Sequence, residues 1–179
     1  MSKETKKNRN PYIADILLIP PDQYSHQTAE RVALLRREKV ERPTIFVGAG
    51  TCGMIAGASQ TMLSIQMYLN DHLMKADVVE VGCIGLCQFE PIVDVQLPGK
   101  NRISFKNITP EKVYSLLDAV FNNTIDSVDV LGQFESRHLV PWEDVPFINR
   151  LPFFKKQKRL VLENCGLINP SSIEEYLAR

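Results

Sequence analysis

Val47-Gly48-Ala49-Gly50-Thr51-Cys52-Gly53 and Val81-Gly82-Cys83-Ile84-Gly85-Leu86-Cys87 bracket the stretch, Val47 to Val95, around which the rest of the chain is arranged. Each segment begins as a short β-like run and passes through glycine to a thiol. Glycine permits tight backbone torsions and leaves room beside the main chain. It also exposes N–H groups that donate to sulfur. Between the segments, apolar residues recur at Met54, Ile55, Ala58, Met62, Ile65, Leu69 and Leu73. That spacing of three and four predicts one amphipathic helix from Cys52 to about Met74. Its methionines are read as core packing, and His72, near its C-terminus, as a complement to the helix dipole.

Working outward, Pro43 to Val47 predicts a buried strand and Asp77 to Gly82 a second. Cys83 to Glu90 is a loop. Ile92 to Leu97 alternates apolar and polar residues, which predicts a half-buried strand. Pro98-Gly99-Lys100-Asn101 turns it into a hairpin with Arg102 to Phe105. Thr109-Pro110-Glu111 opens a helix whose buried face is Val113, Leu116, Leu117, Val120 and Phe121. The order strand, helix, strand, cysteine loop, hairpin, helix predicts an α/β unit over residues 42–123. Residues 1–41 read as a polar tail, an extended arm from Tyr12 to Ile19, and a surface helix from Asp22 to Val40. Residues 124–179 read as an extended linker rich in proline and aromatic residues, pinned to another surface. It includes the solvated basic run Lys155 to Arg159, a strand from Arg159 to Leu162, and a last helix, Ile173 to Ala178, opened by a Ser171-x-x-Glu174 capping box.

The 21 Lys and Arg balance the 21 Asp and Glu, so no charge excess points to nucleic acid. No apolar run reaches the length of a membrane span. The polar N-terminus has no apolar signal core behind it, so a cytoplasmic location is expected. The four cysteines are then expected reduced, as ligands or redox groups. The three histidines, His26, His72 and His138, lie outside the cysteine loops, so a zinc site would leave one position empty. A thiol–disulfide pair would need Cys-x-x-Cys. Cys83 and Cys87 are one residue too far apart, and Cys52 has no such partner.

Gly50-Thr51-Cys52-Gly53, Ala56-Gly57-Ala58 and Val81 to Cys87 followed by Glu90-Pro91-Ile92-Val93 resemble the thioredoxin-like [2Fe–2S] ferredoxin domain of flavoprotein NADH dehydrogenases. Pro152 to Arg159, Asn164-Cys165-Gly166-Leu167-Ile168 and Ser172 to Tyr176 resemble the entry to the FMN/NADH-binding F subunit of respiratory complex I. They equally resemble its relatives in electron-bifurcating hydrogenases and formate dehydrogenases. The resemblance covers residues 43 to 179. It implies a thioredoxin-like α/β ferredoxin domain with extended N- and C-terminal arms. It also implies electron transfer through a [2Fe–2S] cluster on Cys52, Cys83 and Cys87, inside an NAD(P)H-dependent oxidoreductase complex with flavoprotein and iron–sulfur partner subunits. FMN and NADH would bind in a region outside these residues or in a partner. The family pattern departs at Gly48, where the first of its four cysteines would stand, while Cys52 sits one place early. The fourth ligand is then open among Thr51, a carboxylate, water or a partner's thiol. Cys165 is read as a small buried apolar residue. The competing expectation is a cluster-free docking module that packs against a flavoprotein.

Overall fold

The computed structural model describes residues 16–125 and 129–179. The polar tail and the first half of the Tyr12–Ile19 arm lie outside them. Five strands, β1 (Thr44–Gly48), β2 (Asp77–Val81), β3 (Val93–Gln96), β4 (Ile103–Phe105) and β5 (Val130–Gln133), form one sheet in the order β2-β1-β3-β4-β5. β1 and β2 are parallel, with Gly48 opposite Val81. The remaining neighbours are antiparallel. The mixed α/β class is therefore as expected.

One face of the sheet is covered by the helices that the apolar periodicity predicts. These are α3 (Ala58–Asp71) and α4 (Val113–Phe121). Ile45 and Val47 of β1, Val93 and Val95 of β3, and Ile103 and Phe105 of β4 meet Ile65, Tyr68, Leu116, Leu117 and Val120 in the main core. Each fully buried aliphatic side chain contributes about 1.5–3 kcal/mol there. Thr61 Oγ1 donates to the Ile108 carbonyl (2.9 Å), and Tyr68 donates to Asp118 (2.7 Å), tying α3 to the α4 segment.

The predicted single helix from Cys52 to Met74 is two. A short α2 (Thr51–Ala56) ends at Gly57, whose φ of +105° is left-handed, and α3 begins after it. Met54, Ile55 and Leu73, assigned to the apolar face, are exposed because the break turns α2 away from α3 and Leu73 lies past the end of α3. The Asp22–Val40 helix is likewise shorter. A 3-10 turn at Pro21–Gln23 precedes α1 (His26–Leu35), capped by Ser25, which accepts from the Thr28 N–H.

The second face of the sheet carries the larger departure. β3 is buried on both sides. Its polar residues Asp94 and Gln96 lie under a second layer built from outside residues 42–123. Gln96 Nε2 donates to the Arg37 carbonyl (2.9 Å). Arg102 donates to Asp94 and to the Gly166 carbonyl, and its guanidinium stacks 3.6 Å from the Phe46 ring centre. α1 and the terminal α6 (Ile173–Leu177) pack through Val32, Ile16 and Ala178. Arg37 pairs with Glu175 at 2.9 Å.

The linker is pinned, as its aromatics predict, but it is not merely extended. It supplies β5 and a four-residue helix, α5 (Pro152–Lys155). Gln133 Oε1 accepts from the Trp142 N–H, and Trp142 Nε1 donates to the Asn101 carbonyl, so the lone tryptophan is locked against the hairpin. The strand expected at Arg159–Leu162 is absent. Leu160, Val161 and Leu162 are exposed in a bend-and-turn segment with no neighbour to pair with. The capping box is displaced by one residue, since Ser172 accepts from the Glu175 N–H.

Candidate metal centre

Parallel pairing decides the site. β1 and β2 end level with each other, so the two glycine–thiol segments leave the same edge of the sheet side by side. The Ala49 N–H donates to the Val81 carbonyl and the Gly48 N–H to the Ile92 carbonyl, which extends the ladder into the loops. Gly50 is packed so closely that a Cβ there would lie 3.1 Å from Cβ of Cys83. Gly53 has no room at all, because its Cβ would fall 2.0 Å from the Gly48 carbonyl oxygen. These contacts are the physical reason for the glycines that the sequence places around Cys52.

Cys52 lies in the first turn of α2, Cys83 just past β2, and Cys87 at the start of a 3-10 turn, Cys87–Phe89. Their three sulfurs lie within 4.8 Å of one another. Sγ of Cys83 and Sγ of Cys87 are 3.8 Å apart. The Gly85 N–H donates to Sγ of Cys83 (3.2 Å), a backbone donor to sulfur of the kind the glycines predict. Burial pushes the Cys83 thiol up to about 12. The neighbouring Cys87 thiol, followed by burial, raises Cys52. All four cysteines are free of disulfides.

Leu86 is buried and Ile84 half-buried beside the thiols, while Met54 points into solvent. The C-terminal segment adds further cover. Phe153 lies against Gly85, and Ile84 packs so tightly on Gly166 that a Cβ there would overlap it. Leu86, Ile92 and Leu131 form a small core with Phe154 and Leu151. Cys165 is half-buried beside Gly82 and stands apart from the three-sulfur group. The histidines are also outside that group.

One functional candidate escaped the sequence reading. Glu90 is buried to 8% exposure at the end of the cysteine loop. Its Oε2 accepts from the Ile92 N–H (2.8 Å), while Oε1 has no partner among the described residues. Burial raises its carboxyl. A carboxylate before proline in a loop reads as a solvated residue, and only the fold turns it inward.

The donor set fits a thiophilic metal. Two thiolates on one tetrahedral ion stand about 3.8 Å apart, given metal–sulfur bonds of about 2.3 Å. The Cys83–Cys87 spacing of 3.8 Å matches that edge.

No family model matches the chain. It is similar in fold to a solved thioredoxin-like [2Fe–2S] ferredoxin from Aquifex aeolicus, with 14% identity over 56% of this chain and 100% of that one, at a TM-score of 0.44. A structure of the wild-type thioredoxin-like [2Fe–2S] ferredoxin from the same organism matches at 14% identity over 52% of this chain and 99% of that one, at a TM-score of 0.42.

Proposed function

We propose that this chain is an electron-transfer module whose Cys52, Cys83 and Cys87 hold an iron–sulfur centre. The carrying observation is the convergence of three thiols, from two glycine-bounded loops, to within 4.8 Å of one another. When bound, such a centre supplies one-electron redox chemistry. The protein's part is to hold the thiolates, donate the Gly85 N–H to Cys83, and limit water through Leu86, Ile84 and Phe153. Sulfur hydrogen bonds and burial are the levers that set potential.

The wider setting we infer is an NAD(P)H-dependent oxidoreductase complex, with FMN and NADH held by a flavoprotein region or partner subunit. What supports this is the resemblance of Pro152–Arg159 and Asn164–Ile168 to a flavoprotein entry segment. The burial of Phe154 and Gly166 around the cysteine loop adds to it, since that segment and the site fold as one. A cytoplasmic location belongs to the same proposal. Among the described residues, no helix is long and apolar enough to cross a membrane.

A single tetrahedral ion is the second reading, favoured by the compactness of the sulfur triad. Iron, zinc and acid-labile sulfide analysis of protein purified without oxygen separates the two, with EPR of the dithionite-reduced sample. Iron with an equal amount of sulfide and a reduced-state signal supports the electron carrier. One metal without sulfide selects the single ion. A metal-free chain, even after anaerobic reconstitution, leaves the docking module. Cys83→Ser is expected to remove absorbance and paramagnetism without unfolding the sheet.

A further inference from the structure

We propose that the Glu90 carboxylate is the fourth ligand of the metal centre, completing a three-sulfur, one-oxygen donor set with Cys52, Cys83 and Cys87. The proposal rests on the reading that these thiols bind metal. A tetrahedral ion or a two-iron cluster takes four protein ligands, whereas the described residues bring together three sulfurs. A group already beside them can supply the missing donor.

Glu90 is that group by position. It follows Cys87 on the same loop and precedes β3, so the turn that sets Cys87 also sets the carboxylate. Its oxygens face the other cysteine loop. A Cβ built on Gly48 would lie 2.8 Å from Oε2 and 3.2 Å from Oε1, and one on Gly53, the residue after Cys52, 3.3 Å from Oε2. Glu90 thus fills the space that a side chain at position 48 would occupy. The carboxylate is not part of the 4.8 Å sulfur set and lies on its Gly48 side.

Burial makes the case chemical as well as geometric. A buried carboxylate without a countercharge or full hydrogen bonding is unfavourable, which makes such groups rare in cores. Glu90 has no ion pair with lysine, arginine or histidine among the described residues, and the Ile92 N–H serves only Oε2. A metal ion at the thiols gives Oε1 its partner and the carboxylate its countercharge. The same ion removes the repulsion between Glu90 and the thiolates. Oxygen with sulfur ligation suits iron and zinc alike.

The test uses the full chain, purified and reconstituted without oxygen, with ferrous iron and sulfide as one probe and zinc as another. Metal and sulfide content, chelator competition, and EPR and Mössbauer spectra are read for wild type, Glu90→Ala, Glu90→Gln and Glu90→Cys. Circular dichroism of the metal-free forms reports folding. Expected are loss of metal retention by about tenfold or more in Glu90→Ala, as for loss of a ligand-level contact, and retained loading with a spectrum moved toward all-sulfur ligation in Glu90→Cys. A Gly48→Cys, Glu90→Ala double variant, which supplies a thiol from the opposite loop into the vacated space, is expected to regain metal. If Glu90→Ala does not fold, Glu90→Gln decides, because its amide oxygen keeps the Ile92 bond. Wild-type loading with unchanged content, retention and spectra in the folded Glu90 variants overturns this proposal alone. A wild type that takes up no metal overturns it together with the reading of the thiols.

Discussion

Gly53 is held between the Gly48 carbonyl and the Glu90 carboxylate, and its neighbour is a proposed ligand. A Gly53→Ala variant forces a methyl to within 2.0 Å of that carbonyl. Overpacking of this kind costs about 1–3 kcal/mol. Urea denaturation should show a lowered midpoint, with metal affinity falling because Cys52 moves with the backbone. Cys83 sets a pH dependence of the metal-free fold. Its thiol sits at about 12, above the ordinary cysteine value, because burial favours the neutral form. The raised value stabilises the fold fully below the unfolded pKa, about 8.5, and that stability is lost as pH rises toward the folded value. Metal-free protein is therefore expected to lose urea resistance as pH rises from about 8.5 toward 12, and Cys83→Ala to lose that part of the slope. The thiols were legible because glycine and cysteine alternate at strand ends. Glu90 was not, because its burial depends on the Gly48 contact, which no local pattern encodes.

At the scale of elements, the buried Asp94–Arg102 pair joins β3 to the hairpin strand β4 and, through the Gly166 carbonyl, to the C-terminal segment. Arg102→Met leaves Asp94 buried and uncompensated, at an expected cost of about 3–5 kcal/mol. Asp94→Leu combined with Arg102→Met should recover most of it, read as the difference between chemical denaturation curves. Thr61→Val tests the α3 contact in the same way. It leaves the Ile108 carbonyl without its donor, and about 1–3 kcal/mol is expected to be lost. Elements with long apolar periodicity, α3 and α4, were legible in the sequence. The break at Gly57 was not, since apolar residues continue in phase through α2 while the left-handed glycine turns the chain. β5 was missed for a similar reason. Val130-Leu131-Gly132-Gln133 is four residues long with a glycine inside, too short to show alternation, and its identity as a strand comes from the β4 edge that it covers.

For the whole molecule, the boundary expected at residue 123 is not where the fold stops. β5 closes the sheet, and α1 with the C-terminal segment roofs its polar face. A chain cut after residue 123 should lose cooperative unfolding and gain rapid amide exchange along β4, because that edge and the Asp94–Arg102 pair open to solvent together. An exchange pattern unchanged in β3 and β4 would instead mark the later residues as a detachable arm. The alternation in β3 read as a half-buried strand because alternation reports residue polarity, not what a distant segment lays over the polar side.

The level ends of β1 and β2 have a consequence for how the protein is maintained. The thiols meet only after the crossover through α3 has brought two distant stretches of chain into parallel register. A ligand that holds all of them therefore binds the folded chain and has no equivalent site on the unfolded one. By mass action, free metal at a hundred times its dissociation constant adds about 2.7 kcal/mol to stability. With the proposed metal bound, metal-starved chains are expected to populate the open state more often than filled ones.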